Sequence, residues 1–166
     1  EDAVRILGGG RFLAAPIRGG THDIADGPAM SRPEAYTAIE VGLRVAADEA
    51  VAGTRLIGLG EMGIANTTPA SAIVAAMTGR PARDVTGRGT GVDLKAYARK
   101  IASIERALAV NRPDPGDPIG VLAAVGGFEI AALVGLMLGA AAARIPVILD
   151  GFITGAAVLV AARLCP

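Results

Sequence analysis

Apolar residues in this chain fall into two kinds of run: short blocks rich in branched side chains, and longer stretches whose apolar positions recur three and four apart. Ser31, Pro33 and Glu34 make a helix start, with serine as the cap, proline in the first turn and glutamate three residues on. Ala35, Ile39, Leu43 and Ala46 continue at helical spacing, which predicts a helix to about Ala52, ended by Gly53. A short buried strand is expected over 55–59, leading into the turn 60–69 and a helix over 70–77 that Gly79 and Pro81 stop. A second glycine loop, 86–91, precedes a helix over about 93–110 whose apolar stripe is Leu94, Tyr97, Ala98, Ile101, Ile104 and Leu108. Glu105 falls in that stripe and is expected to be paired or to face another segment. A proline-rich connector, 111–118, leads to a helical run over 119–125, and Gly126-Gly127-Phe128-Glu129 opens a long apolar helix. Residues 145–150 have the branched composition of a buried parallel strand, turned by Gly151-Phe152-Ile153-Thr154 into the last helix.

Strands that alternate with helices predict an α/β fold built on an open parallel sheet flanked by helices. The glycine-dense segment 6–21 reads as loops around short strands. With 166 residues, 52% of them hydrophobic, the chain is expected to form a single α/β domain over 1–166.

Composition narrows the partner. Sixteen basic and sixteen acidic residues cancel without a block of either sign, which argues against a nucleic-acid or anionic-membrane surface. The uncharged stretch 130–143 is shorter than the ~18 residues of a membrane span, and reads as a buried helix. Cys165 is the lone cysteine and matches no disulfide or metal-ligand spacing, which fits a reducing, cytoplasmic setting. The chain opens without a secretory leader or a methionine, as a fragment or processed chain would. A small molecule is the expected partner.

In open parallel sheets, ligands sit beyond the carboxyl ends of the strands, where glycine turns feed helix N-termini. Three turns answer that description: 60–68, 87–91 and 150–154. Unpaired amides at a helix start favour a phosphate, and Asn66, Thr67 and Thr68 add side-chain donors. Tight turns use glycine in every fold, so this pattern alone leaves anion binding open. Neither the Walker spacing nor the dinucleotide fingerprint is present.

The strings Gly60-Glu61-Met62-Gly63-Ile64 with Asn66-Thr67-Thr68, Gly87-Arg88-Gly89-Thr90-Gly91, Gly126-Gly127-Phe128-Glu129-Ile130-Ala131-Ala132 and Asp150-Gly151-Phe152-Ile153 narrow the choice. In order and spacing they resemble the signature of nicotinate-nucleotide:dimethylbenzimidazole phosphoribosyltransferases, as do Gly20-Thr21 and Pro28-Ala29-Met30-Ser31 upstream. The resemblance covers nearly the whole chain. It implies a Rossmann-like, three-layer sheet, a homodimer, and attack by a benzimidazole nitrogen on the anomeric carbon of nicotinate mononucleotide, releasing nicotinate and forming α-ribazole phosphate. The departing pyridinium already carries positive charge, so the chemistry asks for positioning and a base, with no metal or cofactor.

The resemblance implies that Glu61 faces the charge developing on the sugar and that Lys100 reaches a phosphate. Gly60, Met62, Gly63, Ile64, Asn66, Thr67, Thr68, Gly87, Gly89, Thr90 and Gly91 are its implied nucleotide-binding residues. Arg88, His22 and Asp23 receive no catalytic role. The family's general base, a glutamate near its C-terminus, has no match here, and the N-terminal region that helps to form its benzimidazole pocket is also missing. The chain is therefore expected to be a central portion of such an enzyme, with terminal segments lacking and little or no turnover of its own. The alternatives are a non-catalytic nucleotide-monophosphate-binding module and a structural dimer subunit.

Overall fold

Ser31 opens the first helix of the computed structural model, which describes residues 12–87 and 93–166. Its hydroxyl accepts from the Glu34 N–H while its own N–H donates to the Glu34 carboxylate at 2.7 Å. Two amides that the helix leaves unpaired are thereby satisfied. Helix α1, Arg32–Val51, ends at Ala52, and Gly53 turns the chain at φ +79°. Strand β1, Ile57–Gly58, follows, and then helices α2 (Thr67–Thr78), α3 (Ala82–Val85), α4 (Leu94–Asn111), α5 (Pro118–Val125) and α6 (Phe128–Ala142). Strand β2, Val147–Ile148, and helix α7, Phe152–Leu164, complete the order.

Helix α6 is apolar on nearly every side, so it can be stable only if surrounded. Helix α1 lies along it, and α7 packs on both α6 and α2. The approach of α1 to α6 is close enough to require glycine. A Cβ on Gly42 would lie 1.9 Å from the Ala132 carbonyl oxygen, and one on Gly135 would lie 1.9 Å from that of Ile39. Ile73, Ile104, Leu122, Ile130, Val134 and Val160 are fully buried in the shared core. The segment before α1 is fixed at the end of α5, where the Ala29 and Met30 amides donate to the Ala124 and Ala123 carbonyls. The last carbonyls of α5, which the helix itself leaves unpaired, are satisfied in this way.

Strands β1 and β2 pair in parallel, Ile57 with Val147 and Gly58 with Ile148. The α/β class is therefore borne out, but the strands are shorter than the expected 55–59 and 145–150, and the described residues form a two-stranded sheet. Nor are they buried: Ile57 and Val147 are half-buried against the core, whereas Ile148, Leu56 and Leu149 are largely exposed. A strand extends only as far as a neighbour supplies donors and acceptors, and each strand here has one neighbour among the described residues. No strand forms in the described part of the glycine-dense segment, 12–21, and 6–11 lie outside the described residues.

Two helical expectations also change. Helix α2 begins at Thr67, three residues before position 70, because Pro69 falls in the first turn, where a missing N–H costs nothing. Glu105 is exposed and has no partner among the described residues. The buried stripe of α4 centres on Ile104 and Ala107, which turns Glu105 and Leu94 to the surface.

Candidate active site

The carboxyl end of β1 delivers the chain through the turn 60–66 to the N-terminus of α2. Within that turn the Glu61 carboxylate folds back on its own segment. Its Oε2 accepts from the Gly63 backbone N–H and from the Asn66 side-chain amide. Ala65 carries φ +61°, a left-handed conformation unfavourable for a residue with a Cβ, and it brings Asn66 round to face Glu61. Asn66 is buried, and its Oδ1 has no hydrogen-bond donor among the described residues.

A cleft of about 390 Å³ opens beside this turn. Gly60, Glu61, Met62, Ile64 and Asn66 form one wall, while Val41, Gly42 and Val45 of α1 and Glu129, Ala132, Leu133 and Leu136 of α6 form the other. Met62 and Ile64 are 83% and 76% exposed, so both apolar side chains are available to a ligand rather than committed to the core. The α1 and α6 wall, including the second carboxylate at Glu129, was missed by sequence reasoning. The signal was the Gly126-Gly127-Phe128-Glu129 string, whose side chain at Glu129 lies over Gly127 with no room for a Cβ between them.

Lys100 extends from α4 to the start of α2, where its Nζ donates to the Thr67 hydroxyl at 2.9 Å. Partial burial pushes the lysine below its ordinary value of 10.5. Among the described residues it has no carboxylate partner. The first helical bond of α2 runs from the Ala70 N–H to the Asn66 carbonyl, so the Thr67 and Thr68 amides precede the ladder. Among the described residues, a cation without an ion pair therefore sits beside amides that precede the ladder at the positive end of a helix, an arrangement that favours an anion.

Residues on either side of the second glycine loop make hydrogen bonds. The Tyr97 hydroxyl donates to the Thr86 carbonyl at 2.8 Å, and the Asp93 carboxylate caps α4 by accepting from Ala96 N–H. Tyr97 is one turn from Lys100 on α4, so the Thr86 carbonyl is held on the side of the helix that carries the lysine. Gly89, Thr90 and Gly91 lie outside the described residues. The structure thus brings together Gly60, Glu61, Met62, Ile64 and Asn66 around the cleft, and joins Thr67 to Lys100. Gly63 contributes its amide to Glu61, and Thr68, Gly87 and Lys100 do not line the cleft.

The fold and site define an α/β protein with a lysine at a helix start next to a carboxylate-bearing cleft. The phosphoribosyltransferase family model matches residues 3–166, and the chain belongs to that family. A nicotinate-nucleotide-dimethylbenzimidazole phosphoribosyltransferase of Syntrophobacter fumaroxidans is 60% identical over 148 residues, 89% of this chain and 42% of the relative. One of Desulforudis audaxviator is 54% identical, covering 96% of this chain and 45% of its own length. The crystal structure of CobT from Thermus thermophilus superimposes with a TM-score of 0.87 at 42% identity, covering 93% of this chain and 46% of that one. The chain spans less than half the length of these relatives.

Proposed function

We propose that this chain holds the donor half of a phosphoribosyltransferase site, which places nicotinate mononucleotide for attack by a dimethylbenzimidazole nitrogen. The observation that carries the reading is Lys100, a half-buried ammonium without a carboxylate partner among the described residues, on the Thr67 hydroxyl at the start of α2. The 5′-phosphate would take this position, supported by the Thr67 and Thr68 amides. Glu61, held by the Gly63 amide and the Asn66 side chain on the cleft wall, would face the ribose as C1′ gains positive charge.

In the reaction, the benzimidazole nitrogen bonds to C1′ as the C1′–nicotinate bond breaks, and the N–H proton of the acceptor passes to a base. The products are α-ribazole 5′-phosphate and nicotinate. Met62 and Ile64, exposed and apolar at the cleft, suit a flat ring. The same reading includes a single α/β domain, a three-layer Rossmann-like sheet completed by further strands beside β1 and β2, a homodimer, and a cytoplasmic setting. Among the described residues, no helix is long and apolar enough to cross a membrane.

Calorimetric titration of the chain with nicotinate mononucleotide tests the donor site, together with an assay of nicotinate release when dimethylbenzimidazole is added. Binding that weakens in Lys100→Ala, with little or no release, is the expected result. Absence of binding overturns the reading, and rapid release would show that this chain contains its own base.

A further inference from the structure

We propose that Asn66 is a positioning residue: with the Gly63 amide it pins one carboxylate oxygen of Glu61, leaving the other free at the cleft wall. This rests on the reading that Glu61 faces the donor sugar. Asn66 occupies the cap position of α2, where an asparagine ordinarily accepts from the amide two or three residues on. It makes no such bond here. Pro69, three residues on, has no N–H to give, so the usual capping interaction is weakened by the sequence itself.

The side chain is instead turned toward Glu61. An ionised carboxylate only accepts, which fixes the amide nitrogen as the atom facing it and the carbonyl oxygen as the atom facing away. That oxygen is buried without a donor, an arrangement that disfavours the fold. The left-handed Ala65 adds a second local penalty at the adjacent position. Both oppose stability, and both are explained if the segment is shaped to hold Glu61. Glu61 Oε2 then has two donors, while Oε1 accepts no hydrogen bond among the described residues. A carboxylate tethered by one oxygen keeps the other in a fixed place, as charge stabilisation without reorganisation requires.

Two measurements on the 166-residue chain test the role. In the ligand-free protein, the Asn66 side-chain amide protons are followed by nitrogen-15 NMR. They should be protected from exchange in the unaltered chain and lose that protection in Glu61→Ala; protection unchanged by that substitution overturns the proposal. In titrations, Asn66→Ala should weaken nicotinate mononucleotide about tenfold, as loss of a hydrogen bond to a charged group does. The loss should vanish in a Glu61→Ala background, and inorganic phosphate should bind as before. Additive losses, or an equal loss for inorganic phosphate, would make Asn66 a direct ligand contact and overturn the positioning role alone. If the unaltered chain binds no nicotinate mononucleotide, the donor-site reading falls as well. Asn66→Ser, which is too short to span to Glu61, replaces Asn66→Ala should the latter fail to fold.

Discussion

The two walls of the cleft are built on opposite principles. The wall made by α1 and α6 is apolar apart from Glu129 and meshed backbone to backbone, with Gly42 and Gly135 each set against a carbonyl of the other helix. The turn 60–66 is exposed over most of its length and is shaped by a few polar contacts around Glu61. Glycine is abundant in both, for unrelated reasons. In the helices it removes a side chain that would collide, whereas a Cβ on Gly60 would meet nothing within 4 Å. A glycine count thus says little until the neighbours of each are known.

The sharpest way to break this contrast is a single methyl group. Gly135→Ala or Gly42→Ala should destabilise the chain by on the order of 3 kcal/mol, because neither neighbouring atom belongs to a flexible side chain. Gly60→Ala should cost less than about 0.5 kcal/mol. Urea denaturation of the three variants decides the matter, and equal losses would show that the helices are not in backbone contact.

Next in size is Lys100→Met. The charge is a partly desolvated ammonium that makes no ion pair among the described residues, so folding gains little from it, whereas the proposed anion depends on it. Phosphate and nicotinate mononucleotide should bind about tenfold to a hundredfold more weakly, with an unchanged or raised thermal midpoint. A lowered midpoint with unaltered binding would reverse that division of labour.

The same lysine predicts a pH dependence. A phosphate monoester has a second pKa of about 6 and is already a dianion above neutrality, so loss of affinity on the alkaline side reports the protein. Burial holds Lys100 below 10.5, and affinity should fall as pH rises through that lowered value. Stability moves the other way, since the unfolded lysine retains its proton where the folded one has lost it. In Lys100→Met both limbs should flatten.

The smallest expected effect concerns the surface near α1. Hydrogen bonds from the Ser31 backbone and hydroxyl, and then Arg18, hold Glu34 below its ordinary value of 4.5. Arg32 and the Gly120 amide do the same for Asp117, below 3.8. Both lowered values mean stability that is present above those ordinary values and lost as pH falls through the folded ones. Thermal midpoints below pH 4 should therefore drop less in Glu34→Gln than in the unaltered chain.

Much of the helical framework was legible because its signals are local. Ser31 and Glu34 are three residues apart, Gly53 follows the helix it ends, and Asp93 caps α4 from next door. The sheet was less legible, since 55–59 and 145–150 have strand composition but the length of a strand depends on its neighbours. Of the site, Glu61 and Lys100 were readable through their resemblance to a family. The helical wall was not, because Val41 and Leu136 are far apart in sequence and meet only through the meshing of α1 with α6. Asn66 was expected to donate to a ligand; the structure engages its amide with Glu61, a choice that depends on the left-handed turn at Ala65.

That meshing also restricts how the cleft can move. Sliding α1 along α6 by a fraction of a helical turn would drive Gly42 and Gly135 off their facing carbonyls and bring larger residues against them. The helix pair therefore behaves as a locked gear, and any adjustment to a ligand's shape falls to the turn 60–66, which has no such teeth.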